Sequence, residues 1–485
     1  MFYKTLMILI VRVILKISLL FIRTSLRFPR ILKILLLFIL LGFGSIYGFQ
    51  GILQTSFGAR QAGMGGAFQA VGGSIMDLES NPSHLSRFQK SKSEFGSAFH
   101  FAQIEYSDSF MDLRPDYAYS NQITQYPKAI LPYLGYVSKV TDRLGIGVAL
   151  YSQGGGGGTF SKITRLAPEK KTLNETLGLE IPVIGGERKI QEDMVFKFMV
   201  TKATIGFGYK FDRFAIGAGV DLVYSFMQMK KVYRDETRSL ELPGSIRYSS
   251  DPSYTYGGKL GISYELTERI RIAYSYTLRN VLHLDGRMNV ESLDPGKSFD
   301  ARVSRFMSWP DRHIFGISYR NNAWILDFDV KFVPWSEHFK TSKFVLEHSW
   351  IETPLGTETN TMQMNFRWRD QYSFALGAEY IWSRILRIRT GYSYGKSPVT
   401  DRGLSPMLGS TNEHHIAGGI GYYWKDCAFQ LAMEYGFPKR MNGSLSSDWS
   451  LSHSVFSIND VSLQSFQFEK SMSVFSLYFG FELNT

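Results

Sequence analysis

The sequence has a single cysteine, Cys427, so it cannot form an internal disulfide, and no cysteine follows the early apolar run where a lipoprotein would need one. It has no H-E-x-x-H pair and no cysteine ligand set. The adjacent His414 and His415 would point to opposite faces of a strand and cannot share an ion, so no metal site is expected. It also lacks the hydropathy of a helical membrane protein: the mean hydropathy is -0.11. A transmembrane barrel remains open, because its lumen-facing and lipid-facing residues average out.

The first 48 residues lack any acidic side chain, yet carry seven basic ones (Lys4, Arg12, Lys16, Arg23, Arg27, Arg30, Lys33) ahead of the apolar run Ile34 to Leu41. The pattern predicts a secretory signal over 1–48 with a long basic front, cut after Gly44 or Gly48. The run is short against the roughly 20 residues of a membrane-spanning helix. With the leader removed, the formal net charge of +11 falls by those seven. The main argument for a nucleic-acid partner goes with it.

What the chain does have is aromatics, 15% of residues, and 45 glycines. Alternation of period two runs through Ala203 to Phe211, turns at Asp212-Arg213, and resumes from Phe214 to Leu222. One face is apolar or aromatic, and the other is Thr, Gly, Ala, Lys or Asp, which suits a polar lumen. The pattern returns around Thr267-Glu268-Arg269 and around Ser383. Short connections at 141–143, 212–213, 267–269, 321–322, near 383 and at 425–426 alternate with long ones at about 107–127, 152–193, 231–252, 281–312, 341–360, 395–412 and 438–470. That alternation predicts an all-β fold, an antiparallel transmembrane β-barrel of about 14 strands with tight periplasmic turns. The closing strand is Phe475 to Leu483.

Three segments resemble the FadL/TodX family of outer-membrane channels for long-chain fatty acids and other hydrophobic compounds. The first is Gly58-Ala59-Arg60-Gln61-Ala62-Gly63 through Ser80-Asn81-Pro82-Ser83, with Ser83 where the family has alanine. The second holds Trp309-Pro310-Asp311, Phe315 to Tyr319, Trp324, Asp327 to Val330 and Trp335-Ser336. The third is Asn365 to Asp370, Gly377 to Tyr380, Arg389 to Tyr394 and Ser397-Pro398-Val399. The resemblance implies an N-terminal hatch inside the lumen over 49–92, a barrel over 93–485 and a place in the bacterial outer membrane, among its lipids. It also implies passive uptake of a hydrophobic ligand such as a long-chain fatty acid, with no cofactor. The hatch and gating candidates are Asn81 and Pro82, a helix cap and first helical residue, with Gly63, Gly65 and Gly66. In family members the third strand kinks inward to open a sideways exit. Here five glycines, Gly154, Gly155, Gly156, Gly157 and Gly158, admit either such a lateral opening or a flexible loop root.

The residues also offer four candidates for a ligand carboxylate, Lys210, Lys259, Arg271 and Arg389, although Arg389 is as well placed for a salt bridge with Glu379. Gly391-Tyr392-Ser393-Tyr394-Gly395 matches a serine-hydrolase elbow. That elbow needs a strand-turn-helix, and the alternation puts Ser393 within a strand, facing inward like Arg389, so no enzyme is expected. A barrel of the same fold that docks proteins or serves secretion is the alternative reading, and an outer-membrane esterase a lesser one.

Overall fold

A computed structural model describes residues 51–110, 118–172, 182–291, 298–349, 351–352, 358–404, 408–443 and 466–485. The basic leader at 1–48 lies outside the described residues. Among those described, no helix is long and apolar enough to cross a membrane.

Fourteen antiparallel spans close into a barrel. They are β1 (Lys92–Phe110), β2 (Tyr119–Gln125 and Lys128–Lys139), β3 (Leu144–Thr172), β4 (Pro182–Phe211), β5 (Phe214–Arg234), β6 (Glu241–Ser250 and Ser253–Glu265) and β7 (Ile270–Thr277, Asn280–His283 and Gly286–Val290). The second half holds β8 (Phe299–Trp309 and Arg312–Arg320), β9 (Trp324–Val333 and Thr341–Leu346), β10 (Thr361–Asn365 and Gln371–Ile381), β11 (Leu386–Gly395), β12 (His414–Trp424), β13 (Cys427–Gly443) and β14 (Phe466–Asn484). Several spans break where proline removes a ladder donor, at Pro127, Pro252, Pro310 and Pro334. Closure is made by β1 against β14, in register from Lys92↔Asn484 to Phe110↔Phe466.

The period of two sorts side chains as the alternation predicted. Phe207, Leu260, Phe315, Leu376 and Ile416 face outward, while Lys202, Thr204, Lys259, Glu379 and Arg389 are buried inside. An outward apolar band is what a lipid-facing wall requires. The short turns fall where expected, whereas much of what reads as long loop is strand. β3 and β4 continue through most of 152–193, paired out to Thr172↔Pro182. This ribbon is longer than the roughly 9–11 residues a membrane crossing uses.

Inside, the lumen changes character along its length. Toward the short-turn end it is lined by charges. Toward the long-connection end lies an apolar cluster that includes Phe160, Phe196, Phe198, Met227, Met307, Trp309 and Phe344. The expectation of a polar lumen therefore meets an apolar layer of Met and aromatics in the outer half, with buried charges below it and a further ion-paired group, Asp108, Arg165, Glu192 and Lys231, in the outer half itself.

Candidate functional site

Residues 51–91 precede β1 and are almost wholly buried. They form α1 (Ala59–Gly63), α2 (Asp77–Ser80) and a 3₁₀ helix, Pro82–Arg87. None is long enough to be stable alone, so this segment owes its shape to the wall around it. Asn81 caps the 3₁₀ helix: its Oδ1 accepts from Ser83 N at 3.1 Å and Ser83 Oγ at 2.8 Å, while its Nδ2 donates to the Ile262 carbonyl of β6 at 3.2 Å. Pro82 stands at the first helical position, where a missing N–H costs nothing. The pair thus ends one helix, starts the next and ties both to the barrel.

Where the segment meets the wall, the strands carry glycine. A Cβ added at Gly217 of β5 or Gly261 of β6 would run into Pro82 or Asn81, and one at Gly391 of β11 would run into Met64 and Gly65. These inward glycines carve a seat, a role that alternation could not distinguish from that of small lumen residues. On the segment itself Gly65 and Gly66 turn the chain with φ of 65° and 85°. Gly63 ends α1 and lies against Gly419, where an added Cβ would come within 3.2 Å of its Cα.

Charge locks the seat. Arg60 forks onto Glu379 of β10, Arg312 of β8 meets Glu79, and Asp329 of β9 accepts the Phe68 and Gln69 amides at 2.9 and 3.0 Å. Buried ions of this kind are tolerable only when paired and hydrogen-bonded. Asp77, on α2, accepts from Gly73 N at 2.7 Å, yet burial dominates and pushes its carboxyl up to about 7.

The four carboxylate-binding candidates do not form one site, although Lys210 and Arg271 share Glu265. Lys210 is one-third exposed near the short turns and 3.7 Å from Glu265. Lys259 is held by Asp221 at 3.1 Å and by the Tyr151 hydroxyl at 2.6 Å. Arg271 divides between Glu265 and the carbonyls of Ala70 and Val71, and Arg389 lies 2.6 Å from Glu379, as the salt-bridge reading expected. Each already has a protein carboxylate, and Arg271 and Arg389 help hold the inner segment or its anchor. Ser393 lies inward on β11, buried within a regular strand, and His414 and His415 face opposite ways. Among the described residues no group of His, Cys, Asp and Glu could hold a metal.

The glycine run is neither a loop root nor a strand end. Gly154 to Gly158 pair in order with Val200 to Phe196 of β4, after a register shift at Ser152. The opposite edge of β3 is where pairing stops: its ladder with β2 ends at Tyr133↔Tyr151. Higher up, Thr164 and Asn121 reconnect the two strands through bonds of 2.7 and 3.0 Å. The start of the inner segment covers this interval, with Gly155 N donating to Ile52 O at 2.9 Å and Gln54 Nε2 to Ser152 O at 2.6 Å. A Cβ at Gly154 would strike Ile52 O, and one at Gly155 would strike the Phe198 carbonyl of the paired strand, so these two positions need glycine because backbone lies flat against them.

Gly51 fits beside an aromatic box that sequence reasoning quoted piecemeal and did not assemble. Trp335, on α3 (Trp335–His338), Phe339 and Trp368 stand with ring centroids 4.7 to 5.0 Å apart. The insertion that carries α3 interrupts β9 between its two pieces. Trp335, Phe339 and Trp368 belong to the apolar cluster of the outer half.

A closed antiparallel barrel, apolar outside and filled within by its own N-terminal segment, defines an outer-membrane transport barrel. Residues 200–457, just over half of the chain, match the family described as outer membrane protein transport protein (OMPP1/FadL/TodX), and the chain belongs to that family. It is a family of transport channels, not of enzymes, and its place is the bacterial outer membrane. The fold is shared with the Pseudomonas putida toluene transporter TodX (18% identity, TM-score 0.63, 90% of this chain and 99% of that one). It is shared too with a Pseudomonas aeruginosa FadL homologue (13%, 0.61, 90% and 98%) and the Ralstonia pickettii toluene transporter TbuX (15%, 0.53, 89% and 98%). Comparison with curated proteins gives no match.

Proposed function

We propose that this barrel takes up hydrophobic small molecules, long-chain fatty acids among them, by binding and diffusion without an energy source, and that residues 51–91 are its hatch. The observation that carries the reading is the apolar inner cluster of the outer half, which ends on the hatch and on the edge of β3 that pairs with no neighbouring strand and is covered by Ile52 and Gln54. An open aqueous pore would have no use for buried Met and aromatic side chains inside the wall. A hydrophobic ligand does, since each methylene kept from water is worth about 0.8 kcal/mol. Ligand would enter through the outer half, reach Ile52 and the glycine run, and leave through the interval between β2 and β3 once Ile52 and Gln54 release Gly155 and Ser152. In this scheme Asn81, Pro82, Gly63, Gly65 and Gly66 keep the hatch seated, and Gly154 to Gly158 form the exit edge.

The test is uptake of radiolabelled oleate and toluene by cells with and without the gene, together with Gly156→Val. A Cβ at Gly156 would lie 3.2 Å from Leu408 and 3.6 Å from Ile52, so the variant should fold while its added bulk narrows the exit. Loss of uptake in a correctly inserted Gly156→Val barrel is the expected result. Equal uptake of both compounds in cells lacking the gene would end the proposal.

A further inference from the structure

Among the described residues five arginines are buried, one on the inner segment and four in the wall, and four of the five have a carboxylate: Arg60 on Glu379, Arg165 on Asp108 and Glu192, Arg312 on Glu79 and Arg389 on Glu379. The fifth, Arg305 of β8, is fully buried; its main-chain N–H donates to Asp285 Oδ1 at 2.9 Å, but its guanidinium pairs with no carboxylate among the described residues. Its Nε donates to Ser342 Oγ at 2.9 Å, its Nη1 meets the Met227 sulfur at 2.8 Å, the Tyr248 hydroxyl lies near the guanidinium, and its Nη2 makes no hydrogen bond of normal geometry. Thioether sulfur is a weak acceptor. The guanidinium carbon lies 4.1 Å from the Phe344 ring centroid and 5.4 Å from that of Tyr248. Two aromatic faces thus hold the cation flat while its donor edge stays undersupplied.

A buried charge without a counter-charge is costly, and here it sits within the apolar cluster of the outer half, to which Met227, Met288, Met307 and Leu282 belong. The geometry points to Arg305 as the receptor for the carboxylate of an amphipathic ligand, a specificity residue that distinguishes an acid with an apolar tail from a neutral hydrocarbon. This assignment rests on the reading of the barrel as a channel for hydrophobic molecules. It also sets the ligand's direction. Arg305, Met307 and Trp309 share the inner face of β8, and four residues of strand span about 13 Å. With its carboxylate on Arg305, the tail runs inward past Met307 to Trp309, which lies against Gly154. The unbranched, polarisable methionines can repack to admit it. The tail therefore reaches the exit edge first, and the head group is the last part to leave.

The experiment measures equilibrium binding of radiolabelled oleate and of oleyl alcohol, the same tail without the charge, to purified protein in neutral detergent. Folding is checked by heat-modifiable mobility. Arg305→Met should weaken oleate by about 10- to 100-fold, the loss of a charge-assisted pair, and leave oleyl alcohol within about threefold. Arg305→Lys should keep most of the oleate affinity. A second measurement needs no change at Arg305: mid-chain brominated oleate should quench Trp309, read as the quenching lost in Trp309→Phe. Unchanged oleate affinity in Arg305→Met, a parallel loss of both ligands, or no Trp309 quenching would overturn the assignment while leaving the channel reading intact. A wild-type protein that binds neither ligand would overturn both.

Discussion

Arg60 and Glu379, 319 residues apart, meet as a two-bonded pair in which Nε to Oε2 and Nη2 to Oε1 are both 3.1 Å, and Arg389 shares the same carboxylate at 2.6 Å. One wall carboxylate therefore holds a cation of the inner segment together with two wall cations, Arg389 and the partly exposed Arg387. Removing it leaves two buried arginines without a counter-charge.

Glu379→Ala should undock the hatch without unfolding the barrel, because the wall's ladder hydrogen bonds remain. Breaking a buried pair from one side costs about 3–5 kcal/mol. Liposome swelling with small sugars should rise well above wild type while heat-modifiable mobility is retained. A tight barrel would show that the pair is not what seats the hatch.

The glycine seat makes a paired prediction. Gly391→Ala places a methyl against Met64 and Gly65, whereas Gly418→Ala, on the next strand, finds only the Arg389 carbonyl, at 3.8 Å. Overpacking costs about 1–3 kcal/mol. The first variant should leak sugars and expose the hatch to protease, and the second should match wild type. Equal behaviour would place the seat elsewhere.

The outward face can be tested at Phe207, which is 44% exposed on the bare barrel. Arginine on a lipid face near the midplane costs about 2–4 kcal/mol, so Phe207→Arg should fail to assemble and Phe207→Leu should assemble. Facing inward does not make its neighbour Thr204 free: it is buried, with its hydroxyl 2.9 Å from that of Tyr151 and 2.6 Å from Asp221. Thr204→Arg should therefore also fail, for want of room.

Asp77 gives the docked hatch a pH dependence. Its carboxyl is raised to about 7 from 3.8, by burial first, with Glu94 adding and the Gly73 amide, Arg60 and Lys92 opposing. A raised carboxyl means that the docked state holds the proton more tightly. The contribution is full below about pH 4, is lost as pH rises to about 7, and is flat above. Protease protection of the hatch should fall across that window and level off. Asp77→Asn should flatten the fall, and an unaltered pH profile in that variant would assign the effect to another group.

Some of this was legible in residues close together in the sequence. Strand and face follow from spacing alone: an i, i+2 alternation such as Ile205, Phe207 against Thr204, Gly206 leaves one answer for which side meets lipid. The tight turns and the cap made by Asn81 and Pro82 are equally local, since each needs only neighbouring backbone. Partner choice is not local. That Glu379 holds Arg60 as well as Arg389, that Gly261 is glycine because Asn81 lies against it, and that Ile52 lies against Gly154 and Gly155 all depend on how fourteen spans are staggered around the barrel. Stagger is a property of closure, fixed by the whole set of ladders and invisible in any one of them. The same closure brings Ser342, Phe344 and Tyr248 around Arg305, so the surroundings of that cation emerged only when the barrel had a complete inside.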